Sequence, residues 1–218
     1  MVGVKKQVII EMASQFAKDM LGNDASGHDW WHVHRVTELS KRIAEDEGAD
    51  VFICTLAALL HDIADEKLNE SEELGLKKVK DWLQLQSVEG DTIIHVMEII
   101  STMSFKGGSR PPMTTLEGKV VQDADRLDAI GAIGIARTFA YSGAKGSIMH
   151  DPNVKPRTNI NQTNYREKKA TPINHFYEKL FKLKDLMNTK TARTIAEERH
   201  QFMEEYLQRF HLEWNGDK

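Results

Sequence analysis

Apolar residues recur along this chain at helical spacing almost throughout. The intervals predict helices over about 4–20, 29–47, 51–64, 72–86, 91–103, 115–141, 172–187 and 190–212. Gly22, Gly27, Gly48, Gly90 and Gly107–Gly108 fall between them, where C-caps and turns belong. The prolines, at 111, 112, 152, 156 and 172, avoid every predicted helix interior, as a residue without an N–H should. There is no convincing period-2 strand and no internal repeat. The predicted fold is all-α, a single-domain bundle of about eight helices over residues 1–218.

Two stretches depart from ordinary amphipathicity. From Val51 to Leu60 only Thr55 is polar, which predicts a helix buried on all sides. Residues 142–171 are polar, carry Pro152 and Pro156 and lack apolar periodicity, so they read as a long loop, either an active-site flap or a disordered segment. After that loop, Phe176, Leu180, Leu183 and Leu186, then Ile195, Phe202, Tyr206 and Phe210, form the expected core stripe of the last two helices.

With 218 residues and 40% hydrophobic content the chain can bury a sizeable core. Its mean hydropathy of -0.47 excludes an integral membrane protein, and no apolar run approaches the roughly 18 residues of a membrane span. Glu11 and Gln15 interrupt the N-terminal segment where a signal peptide would stay apolar, so the protein is expected in the cytoplasm. The lone Cys54 forbids an internal disulfide and reads as a small buried hydrophobe. A net charge of -4 argues against general nucleic-acid binding, which needs a basic field. Any phosphate must be met locally, by a metal or a few cations.

Candidate chemistry lies in three segments. In HDWWHVHRV (28–36), His32 shares an inward stripe with Val36, Leu39 and Ile43; His28 lies one turn earlier, and His34 faces outward. Trp31 is expected to pack, while Trp30 could pack or stack on a base. In ALLHDIADE (58–66), His61, Asp62, Asp65 and Glu66 collect at the end of the apolar helix, where acidic groups oppose the macrodipole unless a cation is recruited. His61 and Asp65 are expected on one face, Asp62 and Glu66 on another. In the segment 117–139, Asp125 and Asp128 share a stripe with Val121, in a seam of small residues where carboxylates are costly unless paired or metal-bound; Asp123 is expected to be solvated. One His, a His-Asp pair and a later Asp make a mixed nitrogen–oxygen site with open positions. Such a site suits a catalytic divalent ion, Mn²⁺ first, with Mg²⁺, Fe²⁺, Co²⁺ or Zn²⁺ as alternatives.

The order H…HD…D over about residues 26–139 resembles the HD-domain superfamily of metal-dependent phosphohydrolases, most specifically at HDWWHVHRV, ALLHDIADE and DADRLDAIG. The resemblance implies an HD-type helical bundle with His32, His61, Asp62 and Asp125 as ligands, Asp125 matching the family's Ala-Asp-Arg; Asp128 is the alternative. It extends to bacterial stand-alone HD proteins of about this length, thought to act on nucleotides. Relatives that hydrolyse guanosine tetraphosphate carry His-Asp-x-x-Glu-Asp, whereas this chain has His-Asp-Ile-Ala-Asp-Glu, which argues against that substrate. Relatives with two metals use further histidines, and His95 is the only one here between the pair and the last Asp, so one metal is expected.

The expected reaction is hydrolysis of a phosphate ester or anhydride, by metal-activated water, as a nucleotide pyrophosphohydrolase or phosphomonoesterase. Asp65 or Glu66 would manage the proton, and His28 would contact the leaving phosphate or brace the site. Arg35 and Arg126 beside the ligands, Lys106 and Arg110 in SFKGGSRPP, and Lys145 and Arg157 in the polar loop are candidates to meet substrate charge. The expected partner is a small phosphorylated molecule, with no stable nucleic-acid binding and no membrane; a homodimer is compatible with this. The competing readings are a metal-binding nucleotide sensor without turnover and an HD-type iron oxygenase.

Overall fold

The computed structural model describes residues 2–22, 29–65, 68–103, 112–157 and 171–217. Among them are nine α-helices and no strand: α1 (Val2–Leu21), α2 (Trp30–Glu47), α3 (Val51–Leu60), α4 (Glu72–Leu85), α5 (Gly90–Met103), α6 (Leu116–Asp128), α7 (Gly131–Ala144), α8 (Pro172–Glu178) and α9 (Lys190–Trp214). The chain divides into two compact units, residues 1–124 and 125–218, and the boundary falls inside α6.

In the first unit α3 is central, as its composition predicts. Cys54, Leu56, Ala57, Ala58 and Leu60 are fully buried, and the helix packs against α1, α2 and α5. Asp50 starts it, its carboxylate accepting from the N–H groups of Phe52 and Ile53 and satisfying donors that a helix start leaves open. Around α3, α1 contributes Ile9, Ala13, Ala17 and Leu21 at strict four-residue spacing, and α2 contributes Val33, Val36, Ile43 and Ala44. Asp29 caps α2 by accepting from the His32 N–H at 2.8 Å. Phe16 of α1 and Trp82 of α4 stack with ring centroids 5.2 Å apart.

The second unit holds the end of α6, α7, α8, two 3₁₀ turns (Leu180–Lys182 and Lys184–Leu186) and α9. The predicted helix over 115–141 is two helices here, with a break at Ala129–Ile130. Gly131 takes φ 73°, where a residue with a Cβ is strained, and a Cβ on Gly134 would stand 2.3 Å from the Ala129 carbonyl oxygen. The carbonyls at the end of α6 receive guanidinium groups, which suits the negative end of a helix dipole: Arg199 donates to the Leu127 oxygen, and Arg137 to the Asp128 oxygen.

Three expectations about packing are corrected. The core stripe of α9 is Ala192, Ala196, Met203 and Leu207, while Phe202 is exposed and Ile195, Tyr206 and Phe210 are half-buried; Leu186 is also exposed. The small residues let the helix approach its neighbours closely, and the aromatic rings flank that seam, Tyr206 stacking on Phe176 at 5.9 Å. Asp123 is fully buried rather than solvated, because Val120 to Ala124 are buried without interruption and α6 has no solvent face there. Trp31 is 63% exposed rather than packed.

The start of the long polar loop is ordered. α7 extends through residues 142–144, and Asp151 accepts from the Asn153 N–H to make a turn. The Asn174 amide donates to the Val154 carbonyl at 2.9 Å. Arg157 donates to the buried carboxylate of Glu178 through its backbone N–H (2.9 Å), Nε (3.0 Å) and Nη2 (2.6 Å). That contact removes Arg157 from the candidates for free substrate cations.

Candidate metal centre

The apolar run of α3 ends at Leu60, and the next four residues, His61–Ala64, tighten into a 3₁₀ turn. Such a turn advances about 120° per residue instead of about 100°, so successive side chains diverge further around it. The turn is buried throughout, its polar members His61 and Asp62 only 9% and 5% exposed. The His61 Nδ1 lies 2.8 Å from the Ala58 carbonyl oxygen, an acceptor, so Nδ1 carries the hydrogen and Nε2 presents a lone pair. That lone pair faces Asp62 Oδ1 at 3.2 Å, while Asp62 Oδ2 lies 3.4 Å from Nε2 of the buried His32 on α2.

One carboxylate thus lies between two imidazoles whose rings are 5.5 Å apart, and the three ligand atoms lie within 4.8 Å of one another. Two electron-rich atoms as close as His61 Nε2 and Asp62 Oδ1 repel unless a cation lies between them. The donor set, two neutral nitrogens and a carboxylate, fits a divalent ion of intermediate hardness. The carbonyl fixing the tautomer of His61 is the outer-shell arrangement metal-bound histidines use.

Asp65 is half-buried and extended (ψ 139°), just past the turn, its N–H donating to the Asp62 carbonyl at 3.1 Å. The expected sharing of a helical face by His61 and Asp65 therefore does not hold, because helical geometry stops at Ala64. Glu66, His28, Lys106 and Arg110 lie outside the described residues. His95 faces Glu117 at 3.6 Å and is not part of the His32–His61–Asp62 group. Arg35 is half-buried on α2.

In the second unit, Asp125 is half-buried and Arg126 donates to the Leu186 carbonyl. The buried carboxylate of Asp128 takes the Arg137 guanidinium at 2.6 Å. Lys145 is exposed, with its ammonium 5.7 Å from the Tyr141 ring centre. Cys54 is inert: burial, then the nearby carboxylates of Glu117 and Asp50, push its thiol up to about 12.

Two residues that support the ligand turn carry no signal in the sequence. The Asn69 amide donates to the carbonyls of Ile63 (2.8 Å) and Asp65 (2.9 Å), the latter also accepting from the Leu68 N–H at 3.0 Å, and so ties down the end of the turn. Gly75 lies where α4 packs on the turn; a Cβ there would stand 2.6 Å from the Ala64 carbonyl oxygen. Gly75→Ala is expected to shift the turn, costing about 1–3 kcal/mol of stability and roughly 10–100-fold in metal affinity. A metal titration giving wild-type affinity would show that the turn does not depend on this contact.

An all-helical chain with a buried His-Asp pair after an apolar helix and a histidine from the preceding helix has the makings of an HD-type metal protein. Residues 30–130 match the HD domain family, and the chain belongs to the HD-domain superfamily. It is 41% identical over 208 residues to the Bacillus subtilis protein YpgQ, covering 94% of each chain. The crystal structure of YpgQ in complex with ADP is similar, with a TM-score of 0.76 and 38% identity over 94% of this chain and 97% of that one. An HD-superfamily hydrolase from Bacillus thuringiensis has a TM-score of 0.79 and 52% identity over 96% and 98%, and a Lactobacillus plantarum protein 0.82 and 42% over 95% and 97%. No described helix is long and apolar enough to cross a membrane.

Proposed function

We propose that this protein is a metal-dependent phosphohydrolase acting on a nucleotide. The observation that carries the reading is the buried group of His32, His61 and Asp62, with the His61 tautomer set to present Nε2 beside the Asp62 carboxylate. The naming of similar structures as HD-superfamily hydrolases and the ADP bound to YpgQ support it. Asp125 is proposed as fourth ligand from its Ala124-Asp125-Arg126 motif, with Asp128 as the alternative.

A bound divalent ion would acidify water and polarise a phosphoryl oxygen. The chain supplies the rest. The Ala58 carbonyl holds His61 in register, Arg35 offsets phosphate charge, and a carboxylate oxygen of Asp65 or Glu66 accepts the proton lost by the attacking water. The P–O bond that breaks leaves its electron pair on the departing phosphate or alcohol oxygen.

The test is incubation of metal-stripped protein with a panel of nucleotides and added Mn²⁺, Mg²⁺, Co²⁺ or Zn²⁺, with products separated by chromatography. Monophosphate plus pyrophosphate identifies cleavage between the α- and β-phosphates; nucleoside plus phosphate identifies a monoesterase. If no metal supports turnover of any of them, the enzymatic reading is wrong and a binding role replaces it.

A further inference from the structure

Trp31 is among the most exposed large apolar side chains of the described residues, at 63%, yet it adjoins the buried candidate ligand His32 in the first turn of α2. An exposed indole gains nothing from packing, and this one is not a stray ring on an otherwise polar face. The His34 ring meets it edge-on at 5.9 Å, Trp30 meets His34 at 5.8 Å, and the Lys18 ammonium lies 4.7 Å from the Trp30 ring centre. Together these make an aromatic face with a cation at its border.

The position of that face follows from helical geometry. Relative to His32, Arg35 lies about 60° around α2, Trp31 about 100° and His34 about 160°, all in the same direction. Moving away from the metal ligand, the surface of α2 therefore offers a guanidinium and then an exposed indole. With a helix radius of about 2.3 Å and side chains extending beyond it, the Trp31 ring and the far end of His32 are on the order of 10 Å apart. That is comparable to the separation of base and terminal phosphate in an extended nucleotide. We infer that Trp31 is the base-stacking residue of the substrate site, taking a nucleobase on its exposed face while the phosphates reach towards His32, His61 and Asp62.

This inference rests on the nucleotide reading above. Stacking on an indole is tolerant of base identity, because every base offers a π-face. Trp31 would thus confer affinity for nucleotides over inorganic phosphates without choosing among the four bases.

The experiment compares two non-hydrolysable ligands that differ only in the adenosine, α,β-methylene-ADP and methylenediphosphonate. Binding to the Mn²⁺-loaded protein is measured by calorimetry. Trp31→Ala is expected to weaken α,β-methylene-ADP about tenfold or more, to leave methylenediphosphonate within about twofold, and to leave the melting temperature unchanged, while Trp31→Phe retains most of the affinity. If Trp31→Ala keeps the wild-type preference for the adenosine ligand, or weakens both ligands equally, Trp31 does not stack the base. A wild-type protein that binds the two ligands equally would instead defeat the nucleotide reading itself.

Discussion

Asp62→Ala is expected to abolish both metal binding and turnover, because this carboxylate lies between the two imidazoles, 3.4 Å from one and 3.2 Å from the other. Its loss removes the carboxylate that joins the two imidazoles and leaves His32, His61 and the proposed Asp125, a set that holds a divalent ion poorly. The affinity should fall by more than the roughly 10–100-fold that outer-shell changes cost. The measurement need not depend on activity. An ion present at about 100 times its dissociation constant stabilises the wild type by about 2.7 kcal/mol, or roughly 5–10 °C for a chain of this length. Asp62→Ala should show no such shift at the same metal concentration, and a wild-type shift in the variant would remove Asp62 from the centre. Glu66→Gln, by contrast, should keep the shift, since the task proposed for Glu66 or Asp65 is the proton and not the ion.

Glu178→Ala is expected to destabilise the second unit. Its carboxylate is 1% exposed and accepts three hydrogen bonds from Arg157. Removing one member of a buried pair costs roughly 3–5 kcal/mol; the Arg157 side chain keeps some solvent, which places the loss near the lower end. At this chain length that is a drop in melting temperature of roughly 6–12 °C, with faster proteolysis of residues 151–157. A melting temperature within a degree or two of wild type would mean that the pair does not secure the loop.

The same neighbourhood sets an acid limit. Burial pushes Glu178 up, but the hydrogen bonds and charge of Arg157 outweigh it and hold its carboxyl below the usual range. Burial, reinforced by Lys179, lowers His175 to about 4. As pH falls below about 6.5 the unfolded chain protonates this histidine and the folded one does not, so stability declines towards pH 4. In more acidic solution, protonation of Glu178, whose carboxyl is held below the usual range, removes what its ion pair contributes. His175→Gln should flatten the decline between pH 6.5 and 4 in thermal denaturation, leaving the lower limb in place; an unchanged slope would assign the acid sensitivity elsewhere.

The helices were legible because burial imposes periodicity, and α3 was legible as central because a helix with one polar residue in ten has nowhere else to go. The candidate group of His32, His61 and Asp62 was legible for a different reason: such residues are costly inside a protein unless something compensates them. What the sequence concealed depends on contacts between distant residues. Gly131 ends the predicted long helix through a positive φ that composition does not announce. The α9 seam fell on alanines beside the aromatic positions because helix spacing, not ring size, decides which residues face inward. Asp123 is buried because α6 is covered on more than one side, and Asn69 and Gly75 matter only because α4 packs on the ligand turn.

The state of Cys54 has a practical consequence. A thiol pushed up to about 12 is essentially un-ionised at pH 7.5, where an ordinary cysteine is ionised to roughly one part in ten. Maleimide and iodoacetamide reagents should leave the native chain untouched. A cysteine introduced at Ile94, which is 67% exposed on α5, would become the only thiol open to labelling. A fluorophore or spin label could then be placed at one chosen point without first removing a native residue from the core.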